Sequence, residues 1–184
     1  MKTILAIDPG ASGGMAMAQS GQTVCHPMPE TQGDLLELIR SIKAAAEAAG
    51  ESVVCVLEEV GGFVGKAQPG SAMFKFGEQF GFLQGVVQAL GLRLERVRPQ
   101  VWQKSFGLGT ASGCACKTEW KNKLKAEAQR RFPKIKVTLK TADALLILDY
   151  AMRGSGGGGE PVNQISAAAD AVAIDRTALH PTKK

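Results

Sequence analysis

The stretch Ile4-Leu5-Ala6-Ile7-Asp8-Pro9-Gly10-Ala11-Ser12-Gly13-Gly14 constrains this chain more than any other, because a run of apolar residues ends on a carboxylate. Such a run, closed by Pro-Gly, reads as a buried strand. Asp8 therefore stands where a rigid core strand meets solvent. Pro9-Gly10 turns the chain, and Gly13-Gly14 let Met15-Ala16-Met17-Ala18 return beside the first strand as a hairpin. An aspartate at such a corner can simply cap a turn. It can also be a functional group held on a stiff frame, and this stretch by itself leaves both readings open.

Further along, strand and helix signals alternate. Gln22 to Met28 is a third short strand, with His26-Pro27 marking an edge or a strand end. Leu35, Leu36, Ile39, Ile42 and Ala46 recur at helical spacing, so residues 32–49 form an amphipathic helix that Gly50 ends. Ser52 to Val60 is a buried strand that again finishes on carboxylates, Glu58 and Glu59. A strand reached through a helix pairs parallel to the first. The two C-terminal ends then lie side by side, about 4.8 Å apart, and Asp8 can face one of the glutamates. Alternation across a strand lets only one of them join it. Leu57-Glu58 closes the apolar run, which favours Glu58 for the site and leaves Glu59 for solvent or a basic neighbour. An acidic strand end can be mere solvated surface, but two acids at matching strand ends repel each other unless a cation compensates.

Residues 61–70 form a glycine-rich loop carrying Phe63 and Lys66, at a strand end where function concentrates. Ser71 to Leu90 is a long helix with Met73, Phe76, Phe80, Leu83, Val87 and Leu90 on its apolar side. Gly77, Gly81 and Gly85 recur every four residues as a smooth stripe, expected to pack on a sheet or helix of the same chain, with a dimer seam as the alternative. Leu92 to Val97 is another strand, and Pro99 starts a short helical turn. Ten bases follow between Lys104 and Lys140, namely Lys104, Lys117, Lys121, Lys123, Lys125, Arg130, Arg131, Lys134, Lys136 and Lys140, against only Glu119 and Glu127. A lysine-rich helix is often just a solvated face, but this imbalance is a local polyanion footprint.

The bulk composition agrees with a soluble single domain: 184 residues, 45% hydrophobic, 21% charged, net charge +5. No apolar run approaches the roughly 18 residues of a membrane span, and no signal-peptide pattern opens the sequence. A cytoplasmic or nucleoid location is expected. Cys114 and Cys116 lack a nearby histidine and make a poor zinc site, so the cysteines read as free thiols.

Thr141 to Tyr150 is an apolar helix with Asp143 in its first turn. The helix dipole alone suits an acid there. An acid entering so apolar a helix also calls for a cation opposite, and Lys140, three residues earlier, can be that cation or can contact phosphate. Asp149 falls on a different side.

Asp8 in Ile-Asp-Pro-Gly, Glu58 in Leu-Glu-Glu, Phe74-Lys75-Phe76-Gly77, Val-Arg-Pro-x-x-Trp-Gln-Lys at 97–104 and Ala-Asp-Ala-Leu-Leu-Ile at 142–147 stand in one order. In that ordered set, over residues 2–153, the chain resembles the RuvC-like Holliday junction resolvases of the ribonuclease H-like superfamily, especially their phage and chloroplast-type branch. The resemblance implies an α/β fold with a mixed central sheet, three antiparallel strands followed by parallel ones, flanked by helices. It also implies a homodimeric endonuclease, cytoplasmic and nucleoid-associated or phage-encoded within a host cell, that nicks two strands of a four-way DNA junction symmetrically, with no membrane and no small-molecule cofactor. Asp8, Glu58 and Asp143 correspond to ligands for two Mg2+ ions, with Mn2+ able to substitute. Two such ions, roughly 4 Å apart, activate water and stabilise the leaving oxygen, and hard oxygen ligands suit them. The family's further acidic or histidine ligand has no counterpart at Leu139-Lys140-Thr141, which leaves Lys140 or Glu59 as auxiliaries. Phe63 is the candidate wedge at the crossover, with Phe74 or Phe76 as alternatives. Lys66, Lys75, Lys104, Lys117, Lys121 and Lys123 are the candidate DNA contacts.

The resulting division is a nuclease domain at 1–153, a Gly-rich linker at 154–163 and a helical, basic tail at 164–184. Asp170, in Ala169-Asp170-Ala171-Val172, imitates the Asp143 motif, but Asp143 follows the basic helix directly and is preferred. A sugar-kinase or actin-like ATPase would need a second similar domain. A non-catalytic junction-binding module of the same fold would have little use for three acids that repel DNA unless metal is present.

Overall fold

The computed structural model describes residues 2–61 and 70–154. Five strands, β1 (Lys2–Asp8), β2 (Gly14–Gln19), β3 (Gln22–Pro27), β4 (Ser52–Glu58) and β5 (Arg93–Val97), form one sheet in the order β3-β2-β1-β4-β5. The first three are antiparallel neighbours; β1 and β4 are parallel, as are β4 and β5. The crossover from β1 to β4 runs through α1 (Gln32–Ala48), whose cap Thr31 accepts a hydrogen bond from the Asp34 amide at 3.0 Å. The remaining helices are α2 (Gly70–Ala89), α3 (Pro99–Lys104), α4 (Lys117–Arg131) and α5 (Ala142–Gly154).

Strand alternation divides the core into two layers. Leu5, Ile7, Cys55 and Leu57 face α1 and α2, where Leu35, Ile39, Leu83 and Val87 cover them. Ile4, Ala6, Ala16, Val54 and Val56 face the other way, under Ala144, Leu145 and Leu148 of α5 and Trp120 and Leu124 of α4. Small residues on this second face let α5 lie close to the sheet. Gly14 is part of that approach, since a Cβ there would stand 2.6 Å from the Lys140 carbonyl oxygen.

The glycine stripe of α2 departs from expectation. Gly77, Gly81 and Gly85 are exposed, and a Cβ on any of them would meet nothing within 4 Å. The reason lies in the helical period: Leu83 and Val87, which are buried, each follow a stripe glycine by two residues and so point nearly opposite to it. The stripe does not pack within the described chain.

At the outer end of α5, Phe106 lies between the Arg131 and Arg153 guanidiniums, 4.6 and 4.7 Å from its ring centroid. Asp149 pairs with both arginines, at 2.9 and 3.0 Å. It is thereby tied into the joint between α4 and α5, away from Asp143. Among the described residues no helix is long and apolar enough to cross a membrane.

Candidate active site

The parity of β1 and β4 decides which acids meet. In β1, Ile4, Ala6 and Asp8 share one face; in β4, Val54, Val56 and Glu58 share the same face, the one beneath α5. Ile7 pairs with Leu57 in register, which brings Asp8 and Glu58 to neighbouring strand ends. Asp143, buried in the first turn of α5, descends on the same place. Glu59 falls on the opposite face, where its carboxylate takes a hydrogen bond from Arg98 at 3.2 Å. Its role is thus that of an acid with a basic neighbour, outside the site.

The turn after β1 is built tightly around Asp8. The Gly13 amide donates to the Gly10 carbonyl at 3.0 Å, and a Cβ on Gly13 would stand 2.2 Å from the Asp8 carbonyl oxygen and 3.0 Å from its carboxyl carbon. Gly10 has φ +104°, and the Phe76 ring of α2 reaches to 3.0 Å from where its Cβ would be. Phe76 is therefore committed to bracing this turn. Phe74, 74% exposed, is the free aromatic of that helix.

Each acid has a distinct partner. Trp102 of α3, fully buried, donates its indole N–H to Glu58 Oε2 at 2.8 Å. Lys121 of α4 places its ammonium on Asp143 Oδ2. Asp143 Oδ1 is buried and has no hydrogen-bond partner among the described residues. A buried carboxylate oxygen without a donor is costly unless something cationic completes it.

The electrostatics report the crowding. Desolvation pushes the Asp8 carboxyl well above its ordinary range, repulsion from Asp143 and Glu58 adds to this, and Lys121 opposes it. Glu58 is pushed up to about 7, chiefly by desolvation, with the Trp102 hydrogen bond pulling the other way and Asp143 adding repulsion. Burial alone would lower the Lys121 ammonium, but Asp143 foremost, then Asp8 and Glu58, raise it overall. The three carboxylates are thus one electrostatic unit.

Three hard oxygen donors and an orphaned Asp143 Oδ1 fit a divalent ion of the magnesium type. They do not form a ready-made cage: among the described residues no three His, Cys, Asp or Glu side chains are grouped closely enough to hold one ion. Protein donors engage two of the acids instead, Trp102 on Glu58 and Lys121 on Asp143.

Lys140 is not the cation opposite Asp143. It is exposed at the end of the segment leading into α5, its backbone carbonyl packed over Gly14, whereas the cation on Asp143 comes from α4. Lys121, expected at a DNA-facing surface, is half-buried in the acid site. Lys123 pairs with Glu119 at 3.1 Å and lies 3.4 Å from Cys114 Sγ. Lys75, Lys104 and Lys117 are exposed. Phe63, Lys66, Asp170 and the linker and tail beyond 154 lie outside the described residues. Trp102 is the site residue that sequence reading passed over. Its signal was an aromatic with one polar atom in the helix directly following β5, beside the β4 end that carries Glu58.

The fold is ribonuclease H-like, with the mixed sheet expected from the sequence, and solved structures of RuvC share it. Thermus thermophilus RuvC in complex with a Holliday junction substrate superposes with a TM-score of 0.53 at 14% identity, covering 88% of this chain and 100% of that one. A second Thermus thermophilus RuvC structure gives 0.51 at 16% identity, covering 87% and 99%. No family model matches the sequence, and no curated protein matches it. At such identities the likeness is one of fold, and the chemistry has to be argued from the site.

Proposed function

We propose that this chain is a divalent-metal-dependent endonuclease that acts on four-way DNA junctions, as a homodimer making paired, symmetrical nicks. One observation carries the reading. Asp8 and Glu58 stand at neighbouring ends of β1 and β4, and Asp143, buried at the start of α5 with Oδ1 unpartnered among the described residues, acts on both. The likeness in fold, over 88% of this chain, to a RuvC structure in complex with a Holliday junction substrate supports the choice of DNA.

In this reading Asp8, Glu58 and Asp143 hold Mg2+, or Mn2+ in its place. Bound there, the metal supplies a water of lowered pKa and neutralises charge building on the phosphate. Trp102 fixes one oxygen of Glu58 and holds that carboxylate in place for the ion. The Gly10–Gly13 turn holds Asp8 against rotation of its backbone. Lys66, Lys75, Lys104, Lys117 and Lys123 would contact the DNA, and Phe63 would enter the crossover, Phe74 being the alternative wedge.

The test is cleavage of a labelled synthetic four-way junction beside a linear duplex, in Mg2+, Mn2+ or EDTA, with wild type and Asp8→Asn. Paired nicks on the junction alone, needing metal and lost in Asp8→Asn while binding stays equal or tightens, are expected. Cutting by Asp8→Asn at the normal rate would overturn the site. Binding without cutting across many junction sequences would instead favour a non-catalytic binding module.

A further inference from the structure

Lys121 is the cation that the described residues place on the acid site. Its ammonium sits on Asp143 Oδ2, and Asp8 and Glu58 both act on it. Its side chain is 35% exposed while that of Asp143 is 5% exposed, so the ammonium enters from the solvent side and the carboxylate lies beneath it. Below it, Asp143 Oδ1 is buried without a donor. Among the described residues, the cation on Asp143 thus comes from the solvent side, on a flexible side chain that has open solvent to retreat into.

We infer that Lys121 is an exchangeable counter-ion: it holds the carboxylate site together without metal, and a divalent cation binding to Asp8, Glu58 and Asp143 must displace it outward. This rests on the metal-site reading above. The physical reason is charge. An ammonium and a divalent ion cannot both occupy the space beside Asp143 Oδ2 without strong repulsion. The divalent ion carries more charge and can also reach Oδ1, which the ammonium leaves unsatisfied. Once displaced, the same lysine stands at the rim of the site as a positive group, so metal loading and the arrival of a phosphate would be linked through one side chain.

The experiment measures Mn2+ binding to the full chain without DNA, by titration calorimetry and by melting temperature, for wild type, Lys121→Met, Lys121→Arg and Asp8→Asn. Lys121→Met should bind Mn2+ about tenfold tighter or more, equivalent to about 1.4 kcal/mol. It should melt lower than wild type in EDTA and gain more on metal addition, while Lys121→Arg stays near wild type. In case Lys121→Met does not fold, reductive methylation of wild-type Lys121, read by mass spectrometry, should be faster in saturating Mg2+ than in EDTA. Unchanged or weaker Mn2+ affinity in Lys121→Met, or Lys121 labelling that metal leaves unchanged or slows, would overturn the inference while Asp8-dependent binding keeps the metal site. Absence of Mn2+ binding in wild type and Lys121→Met alike would overturn both.

Discussion

Replacing Trp102 by phenylalanine removes one hydrogen bond from Glu58 and leaves an aromatic ring in the same pocket. The indole is fully buried, its nitrogen 2.8 Å from Glu58 Oε2, with Phe106 edge-on at a centroid distance of 6.2 Å. A hydrogen bond to a charged acceptor contributes about 1.5–3 kcal/mol, and one to a neutral acceptor about 0.5–1.5 kcal/mol. The smaller ring adds a void and lost contacts, about 1–2 kcal/mol. Because Glu58 ionises at about 7, the bond is neutral at pH 5 and charge-assisted at pH 8. The variant should therefore be destabilised at both pH values, by about 1 kcal/mol more at pH 8. The sign agrees with linkage. Trp102 lowers the Glu58 pKa, its loss raises it, and the folded variant then binds more protons than wild type just above pH 7, so it loses more stability there. Urea unfolding in EDTA at the two pH values, with equal m-values, is the assay. An identical loss at pH 5 and pH 8 would reduce Trp102 to a packing residue and refute its action on the Glu58 charge.

Other outcomes follow from the same site. For wild type in EDTA, folded Glu58 keeps its proton up to about 7 while the unfolded chain releases it near 4.5, so stability should fall across that window, by about 3 kcal/mol at most. Asp8, raised in the same direction, adds to the fall, and Mg2+ should flatten it; a stability that stays level from pH 5 to 7.5 in EDTA would contradict the crowding of the acids. Gly13→Ala puts a methyl 2.2 Å from the Asp8 carbonyl oxygen, so the turn must shift at a cost of about 1–3 kcal/mol, read as a lower melting temperature together with weakened Mn2+ binding. A Gly13→Ala protein that melts like wild type and binds metal equally would mean that the turn closes in another way.

Much of the site was legible in the sequence because it depends on short-range rules. Apolar runs ending on Asp8 and Glu58, a helix between them, and the period of two along each strand suffice to place those two acids together and to send Glu59 elsewhere. Asp143 could be located in a first helical turn by the same kind of reasoning. Proximity along the chain misled in one place. Lys140, three residues from Asp143, was the natural cation, but the backbone there is occupied in closing over Gly14, and its side chain stays in solvent.

The sequence by itself determined the strand and helix order, the mixed sheet and the carboxylates, because hydrophobic periodicity and strand parity are local properties of the chain. Only the tertiary structure decided what those carboxylates meet. Lys121 lies 22 residues from Asp143 and Trp102 lies 44 from Glu58, separations over which no local rule pairs them. The packing of α4 on α5 and of α3 on the β4 side of the core brings them in. Likewise, the exposure of the Gly77, Gly81 and Gly85 stripe follows from which side of α2 the sheet takes, a choice made when Leu83, Val86 and Val87 bury together.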